Sequence, residues 1–406
     1  MAIFLGSTKG AIATSRIVEE LVGELDSLIA EQAAYQLPEQ HVSFLGEFIR
    51  ELHGEREWEE RINQSFQNAL TRLAASADAA ALRQDFDTCS HLAVEYFVRR
   101  GSVLGTHHFC TESRDLLVRS AIRIAELQLK KRGLEGPQSP HAWCAMGSYG
   151  RKEATFSTPC DLMLVQYDDH YDSSDWFARL GEAVATILRT AGLSSTSGIT
   201  PDHEIWRGSI TSWRERFIEQ IFAAGQPSEV VLFTDLRLVS GSEELAERLR
   251  TVIGGNLSFR SGKVQAALHS AASLPLGFDF FGRLRVEKSG SHRGKFNLLE
   301  FALTPLVQTI QVLSVQPPRT ATETVDRIRQ LQEAGDINVD LSGKLLRAYH
   351  EFTRRKLILE VGGIGNEPTG FYFDPHELSH EEESRFKQGL EAVFSLQRIV
   401  LQSVEA

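Results

Sequence analysis

The chain has 406 residues, 42% hydrophobic and 24% charged, with a formal net charge of −11. This is globular composition with room for two or three domains of roughly 100–200 residues each, and its acidity argues against bulk nucleic-acid binding, which rests on clustered Lys and Arg. No stretch approaches the roughly 18 uncharged apolar residues of a membrane span, no secretory signal is visible at Met1 to Arg16, and the four cysteines form no CxxC pair, so the expectation is a cytoplasmic chain with no membrane partner.

Residues 1 to about 80 read mostly as helix, with Ile17, Leu21 and Leu28 at helical spacing and a run rich in Glu, Arg, Leu and Ala from Glu47 to Ala75. A second helical block covers Asp87 to Arg100 and Thr111 to Arg132, where Val118, Ile122, Ala125 and Leu129 form one apolar stripe. Gly133 to Pro140 ends it. His141 to Met146 and Asp161 to Tyr167 suit short buried strands. Ser173 to Ala191 is predicted as a helix stopped by Gly192, and Ser194 to Glu204 as a strand edge plus loop. The pattern changes after Trp206. Helices are predicted over Leu298 to Val315, Thr320 to Ala334, Ser342 to Val361 and Ser379 to Ser403. The sum is a small mixed sheet in mid-chain with helices before and after it.

Several polar clusters read as structural. Lys130-Lys131-Arg132 and Arg283 to Arg293 read as solvated helix ends and loops, with a local basic patch as the alternative. His107-His108 with Cys110 lacks a second half-site for a metal. Trp206 and Trp213 read as core anchors, and Asp235 and Arg237 as an ion pair or cap.

The chemistry concentrates in Gly147-Ser148-Tyr149-Gly150-Arg151-Lys152-Glu153 and the following Thr158-Pro159-Cys160-Asp161. Gly147 lets backbone approach an anion, Ser148 offers a hydroxyl, the turn amides can point at phosphate, and Arg151 could add a charged contact. Magnesium takes oxygen ligands, commonly one or two carboxylates plus substrate phosphates. Two acids two residues apart on a strand share a face, so D-x-D at a strand start can hold the metal over a triphosphate.

Gly147-Ser148-x-Gly150-Arg151-x-Glu153 with Thr158-x-x-Asp161-x-x-Leu164 resembles a family of bacterial nucleotidyltransferases. Those domains often follow CBS or cyclic-nucleotide-binding modules and are similar to the catalytic domain of protein-PII uridylyltransferase. The resemblance continues through Trp206-Arg207-x-Ser209-Ile210-x-x-Trp213, through Thr234-Asp235-Leu236-Arg237-Leu238-Val239-x-Gly241, and through Thr322, Arg327, Leu331, Gly335 and Ile337. It implies an α+β fold with a polymerase β-like mixed-sheet core flanked by helical regions. The expected division is an N-terminal helical region at 1–75, a nucleotidyltransferase-like domain at 76–215 and a helical substrate-binding domain at 216–406. It also implies a nucleoside triphosphate as ligand, Gly147, Ser148, Gly150, Arg151 and Glu153 as nucleotide-binding residues, Asp161 as catalytic residue and metal ligand, and Mg2+ as cofactor if the chain is active.

The chain departs from the family pattern in two places, at three positions. Pro159 stands where the family has the first aspartate of T-D-x-D, and Asn297 and Leu299 stand where a D-L-K string is common. Asp168 and Asp169 lie roughly 20 Å beyond Asp161 along an extended strand, too far to substitute unless the chain folds back. Asp202 is a candidate base, with a loop aspartate beside Pro201 as the alternative. Three functions stand open: an active transferase moving a nucleoside monophosphate to a protein or small-molecule hydroxyl, a catalytically degenerate module that binds a nucleotide or a signalling partner, and a helical scaffold.

Overall fold

Two five-residue apolar runs set the centre of the fold. β1 (His141–Ala145) and β2 (Leu162–Gln166) pair antiparallel, from His141 opposite Gln166 to Ala145 opposite Leu162. Nearly every residue in both is buried, as expected of strands covered on two faces. β3 (Arg207–Ser209) adds parallel to β2, and β4 (Arg237–Gly241) adds antiparallel to β1, giving the order β3-β2-β1-β4. A parallel neighbour needs a crossover, and the chain between β2 and β3 contains one.

This computed structural model describes residues 39–137, 139–168, 174–193, 195, 197–219, 231–257, 262–278, 282–315, 321–363 and 370–405. The helical reading of Ile17, Leu21 and Leu28, and the positions Asp169 and Ser194, lie outside them. The chain divides into two compact units, Met1–Arg72 and Leu73–Ala406. In the first, the described residues belong to helix α1 (Glu39–Ala75), which ends in the second.

The second unit continues with α2 (Ala79–Arg100) and α3 (Val103–Lys131), capped by the side chains of Asp78 and Ser102. The predicted stripe Val118, Ile122, Ala125 and Leu129 is buried. A one-turn helix, α4 (Gly147–Gly150), follows β1. The crossover helix α5 (Ser174–Thr190) packs on α3 and is followed by left-handed Gly192, as predicted. Helix α6 (Ile210–Arg216) buries Trp213, whose ring N–H donates to the Leu164 carbonyl of β2. Among the described residues of 195–204 the expected strand edge is instead loop leading into a 3-10 turn (Glu204–Trp206), and the strand begins at Arg207.

Helices α7 (Glu243–Asn256), α8 (Gly262–Ala272), α9 (Thr304–Leu313), α10 (Thr324–Glu333), α11 (Val339–Gly362) and α12 (His380–Glu405) complete the chain. A two-stranded ribbon, β5 (Phe296–Asn297) with β6 (Tyr372–Phe373), sits among them. One continuous core joins a sheet face (Ala142, Cys144, Met163, Val165) to Phe352, Phe386 and Leu390 of the C-terminal helices. The fold is thus mostly helical with a small mixed four-stranded sheet, the α+β class expected.

Candidate active site

The register of β1 on β2 brings the bend and the acid together. With Ala145 opposite Leu162, the next residues outward also meet, and the Met146 amide donates to the Asp161 carbonyl at 3.0 Å. The turn at 147–150 therefore opens beside Asp161. Gly147 has φ +58°, which favours glycine, and a Cβ there would lie 3.6 Å from Asp161 Oδ2. The amides of Gly150 and Arg151 close the turn onto the Met146 and Gly147 carbonyls, while those of 147–149 stand ahead of it. Ser148 is the half-exposed member of the turn, and Gly147, Tyr149 and Gly150 are buried. Met146 occupies the N-cap and makes no side-chain cap bond.

The other carboxylate oxygen of Asp161 is occupied. Oδ1 accepts hydrogen bonds from Ser195 Oγ at 2.8 Å and Ser197 Oγ at 2.5 Å. Burial pushes this carboxyl above its ordinary range, and the two hydroxyls only partly offset that. The neighbouring Cys160 is buried and its thiol is pushed up to about 12. Pro159 offers no side-chain ligand. Its missing N–H breaks no ladder because it precedes β2.

The rest of the string has a different surrounding. Arg151 donates to Glu153 Oε2 at 2.7 Å and to Asp235 Oδ2 at 2.6 Å. Asp235 is fully buried, and its second oxygen accepts from Arg327 Nη1 at 2.8 Å. Glu153 Oε1 in turn accepts the Thr324 amide at 2.5 Å, at the start of α10. Desolvation works against the Arg151 cation, but Asp235 and Glu153 outweigh it and raise its pKa. Burial pushes Glu153 up, and Arg151 with the Thr324 bond brings it below the ordinary value. Gly150 is required here, since a Cβ would collide with the Asp235 carbonyl oxygen. Arg237 does not pair with Asp235; it holds Asp115 with two 2.8 Å bonds.

The loop to Pro159 is tied down in the same manner. Ser157 Oγ and Thr155 Oγ1 donate to Glu360 Oε1 of α11, which also takes Lys356 Nζ at 2.6 Å. Burial raises Glu360, but Lys356 and these bonds leave it below its ordinary value. His107 is buried between the Ala154 carbonyl and the Tyr349 hydroxyl, and desolvation lowers its pKa. Asp202 is engaged elsewhere, in an ion pair with Arg189 at 2.8 Å and a bond from Thr200 Oγ1. Partial burial raises its pKa, but those two partners hold it below the usual carboxylate range. Asp168 accepts from the amide and hydroxyl of Thr211.

A family model described as "Putative nucleotidyltransferase DUF294" matches residues 87–227, and one described as "Putative nucleotidyltransferase substrate binding domain" matches residues 263–404. The chain belongs to this nucleotidyltransferase family. No curated protein gives a significant match. The bend, Asp161 and Arg151 thus lie in the nucleotidyltransferase segment, and Thr324, Arg327, Lys356 and Glu360 in the substrate-binding segment. A nucleotidyltransferase acts on a nucleotide, and such families typically use Mg2+.

The residues at the head of β2 do not fit a two-carboxylate magnesium site. Among the described residues, no group of three or more His, Cys, Asp or Glu could hold a metal ion. One carboxylate is present, half engaged by serines, with proline where its partner would be. Among the described residues no helix is long and apolar enough to cross a membrane.

Sequence reasoning missed Ser195 and Ser197 on Asp161, and the link from Arg327 to Asp235. Arg327 lay within the family pattern; the serines sit in an irregular polar loop that carries no periodic signal.

Proposed function

We propose that this chain is a nucleotide-binding member of its family, related to the protein-PII uridylyltransferases, in which metal-dependent transfer has decayed. The triphosphate tail of a nucleotide lies in the bend, with Gly147 giving backbone access and Ser148 a hydroxyl, while Gly150 lets the turn pack against Asp235. Arg151 and Glu153 serve the site by holding that turn in place. One observation carries the reading: Asp161 turns one oxygen to the bend and gives the other to two serine hydroxyls. That supports a ligand site beside the turn and leaves little for a cation. The working division is a helical region at 1–75, a nucleotide domain at 76–215 and a helical domain at 216–406 that takes a protein acceptor or signalling partner.

A second reading, transfer of a nucleoside monophosphate to a hydroxyl, is favoured by the oxygen that Asp161 keeps facing the bend. In it Asp161 is the metal ligand and Asp202 the base. Titration of ATP and UTP against thermal stability, with and without Mg2+, separates the two. Saturation at about 100 times Kd adds roughly 2.7 kcal/mol. Stabilisation indifferent to Mg2+, without pyrophosphate release, is expected. Magnesium-dependent binding with pyrophosphate release establishes the second reading instead, and no binding removes both. Pro159→Asp is expected to make binding magnesium-dependent.

A further inference from the structure

We propose that His107 is a proton-operated latch between the two family segments, in which taking up a proton reverses the hydrogen bond to Tyr349 and turns the tyrosine hydroxyl onto Glu153. The ring lies on α3 in the nucleotidyltransferase segment and is 5% exposed. Its Nδ1 is 3.0 Å from the Ala154 carbonyl, in the loop that leads from the bend to Asp161. Its Nε2 is 3.1 Å from the Tyr349 hydroxyl, on α11 of the substrate-binding segment.

These partners fix the direction of both bonds. A carbonyl only accepts, so Nδ1 carries the hydrogen. The neutral ring then keeps a lone pair on Nε2, and Tyr349 must donate its single hydrogen there. The same hydroxyl faces the Glu153 carboxylate, which already accepts from Arg151 and from the Thr324 amide. A proton added to Nε2 removes the lone pair. Nε2–H then donates to the Tyr349 oxygen, and the tyrosine hydrogen passes to Glu153. No bond to the loop or to α11 is lost; one is reversed, and the carboxylate that ties Arg151 to α10 gains a donor.

Charges face the ring from both sides. Glu153 on the loop and Glu360 on α11 favour the imidazolium, and Lys356 on α11 opposes it. On α3 itself, Arg114 is turned to the Cys110 and Phe156 carbonyls, and the Cys110 thiol, pushed up to about 11 by burial, stays neutral. Burial outweighs the two carboxylates and lowers the ring's pKa. The latch is therefore neutral near pH 7 and takes its proton only below the ordinary histidine range.

The test is nuclear magnetic resonance of the full chain, labelled with 15N at histidine and 13C at tyrosine Cζ, titrated from neutral pH into acid. His107 and Tyr349 are assigned from His107→Gln and Tyr349→Phe. Expected are an Nδ1–H tautomer for neutral His107 and a midpoint below the ordinary histidine value. The Tyr349 signal should move at that same midpoint in the natural chain and not in His107→Gln, whose amide offers a donor and an acceptor and does not titrate. Urea unfolding gives a second readout. The unfolded chain binds a proton that the folded ring refuses, so the unfolding equilibrium shifts by up to about tenfold per pH unit as pH falls from the ordinary histidine value to the lowered one. Burial also lowers His141 and His350, so the effect is the difference between the natural chain and His107→Gln. The proposal is overturned by an Nε2–H tautomer, by a Tyr349 signal that ignores the His107 midpoint, or by equal pH slopes in the two chains. If His107→Gln does not fold, the tautomer and the shared midpoint in the natural chain still decide.

Discussion

The family string runs through two corners of the molecule with opposite character. Around Asp235 every charge is matched: Glu153, Arg151, Asp235 and Arg327 alternate in sign and are hydrogen-bonded out of water. Around Asp161 a proline stands at position 159, and two serine hydroxyls bond one oxygen of the acid. The first corner joins the nucleotidyltransferase segment to the substrate-binding segment; the second is the one proposed to face a nucleotide. Their difference teaches that the glycine-arginine-glutamate half of the string holds the frame, while any metal chemistry would fall to the acidic half. Here the frame is complete and the metal corner is not.

The strongest way to break the frame is Asp235→Ala. Two guanidinium groups would remain in the interior without their carboxylate, and removing one partner of a buried pair costs about 3–5 kcal/mol. Urea unfolding should show that loss. Gly150→Ala tests the same corner by volume. Its Cβ meets the Asp235 carbonyl, so overpacking of about 1–3 kcal/mol is expected, read as a lower unfolding temperature.

Acid and base sharpen the contrast because the two corners titrate with opposite sign. Glu153 and Glu360 have folded pKa values below their unfolded ones, so their stabilisation is present above the ordinary glutamate value and is lost as pH falls through the depressed range. Asp161 is raised. The folded chain keeps its proton where the unfolded chain has released it, so this group lowers stability as pH rises from the ordinary aspartate value through its raised one. Asp161→Asn should erase that second slope and leave the first, in unfolding free energies compared across pH. The same substitution should tighten metal-free ATP binding by roughly fivefold, about 1 kcal/mol, by removing a negative charge from beside the phosphates. A magnesium enzyme would respond in the opposite direction, which isothermal titration can read. The smallest effect belongs outside both corners. Arg189→Ala breaks a half-exposed pair with Asp202 and should cost at most about 1 kcal/mol.

Much of this frame was legible in the sequence. The apolar runs of β1 and β2, the glycines between them and the stop at Gly192 declare themselves by composition. β3 is three half-buried residues long, too short for any alternation to register. The network was illegible for a different reason. Arg151 reaches Asp235 across 84 positions, and Arg327 reaches it across 92. Nothing local distinguishes such charges from solvated ones. Arg151 therefore read as a phosphate contact, although its donors are directed to two interior carboxylates. Asp235 read as a partner of nearby Arg237, which instead finds Asp115.

Glu153 capping the amide of Thr324 has an evolutionary corollary. A residue that ties the nucleotidyltransferase segment to the substrate-binding segment serves the fold whether or not the site turns over. Searches keyed to glycine, arginine and glutamate will then gather working enzymes and retired ones alike. Position 159, proline here and aspartate in the pattern the chain resembles, is the better census marker for sorting them.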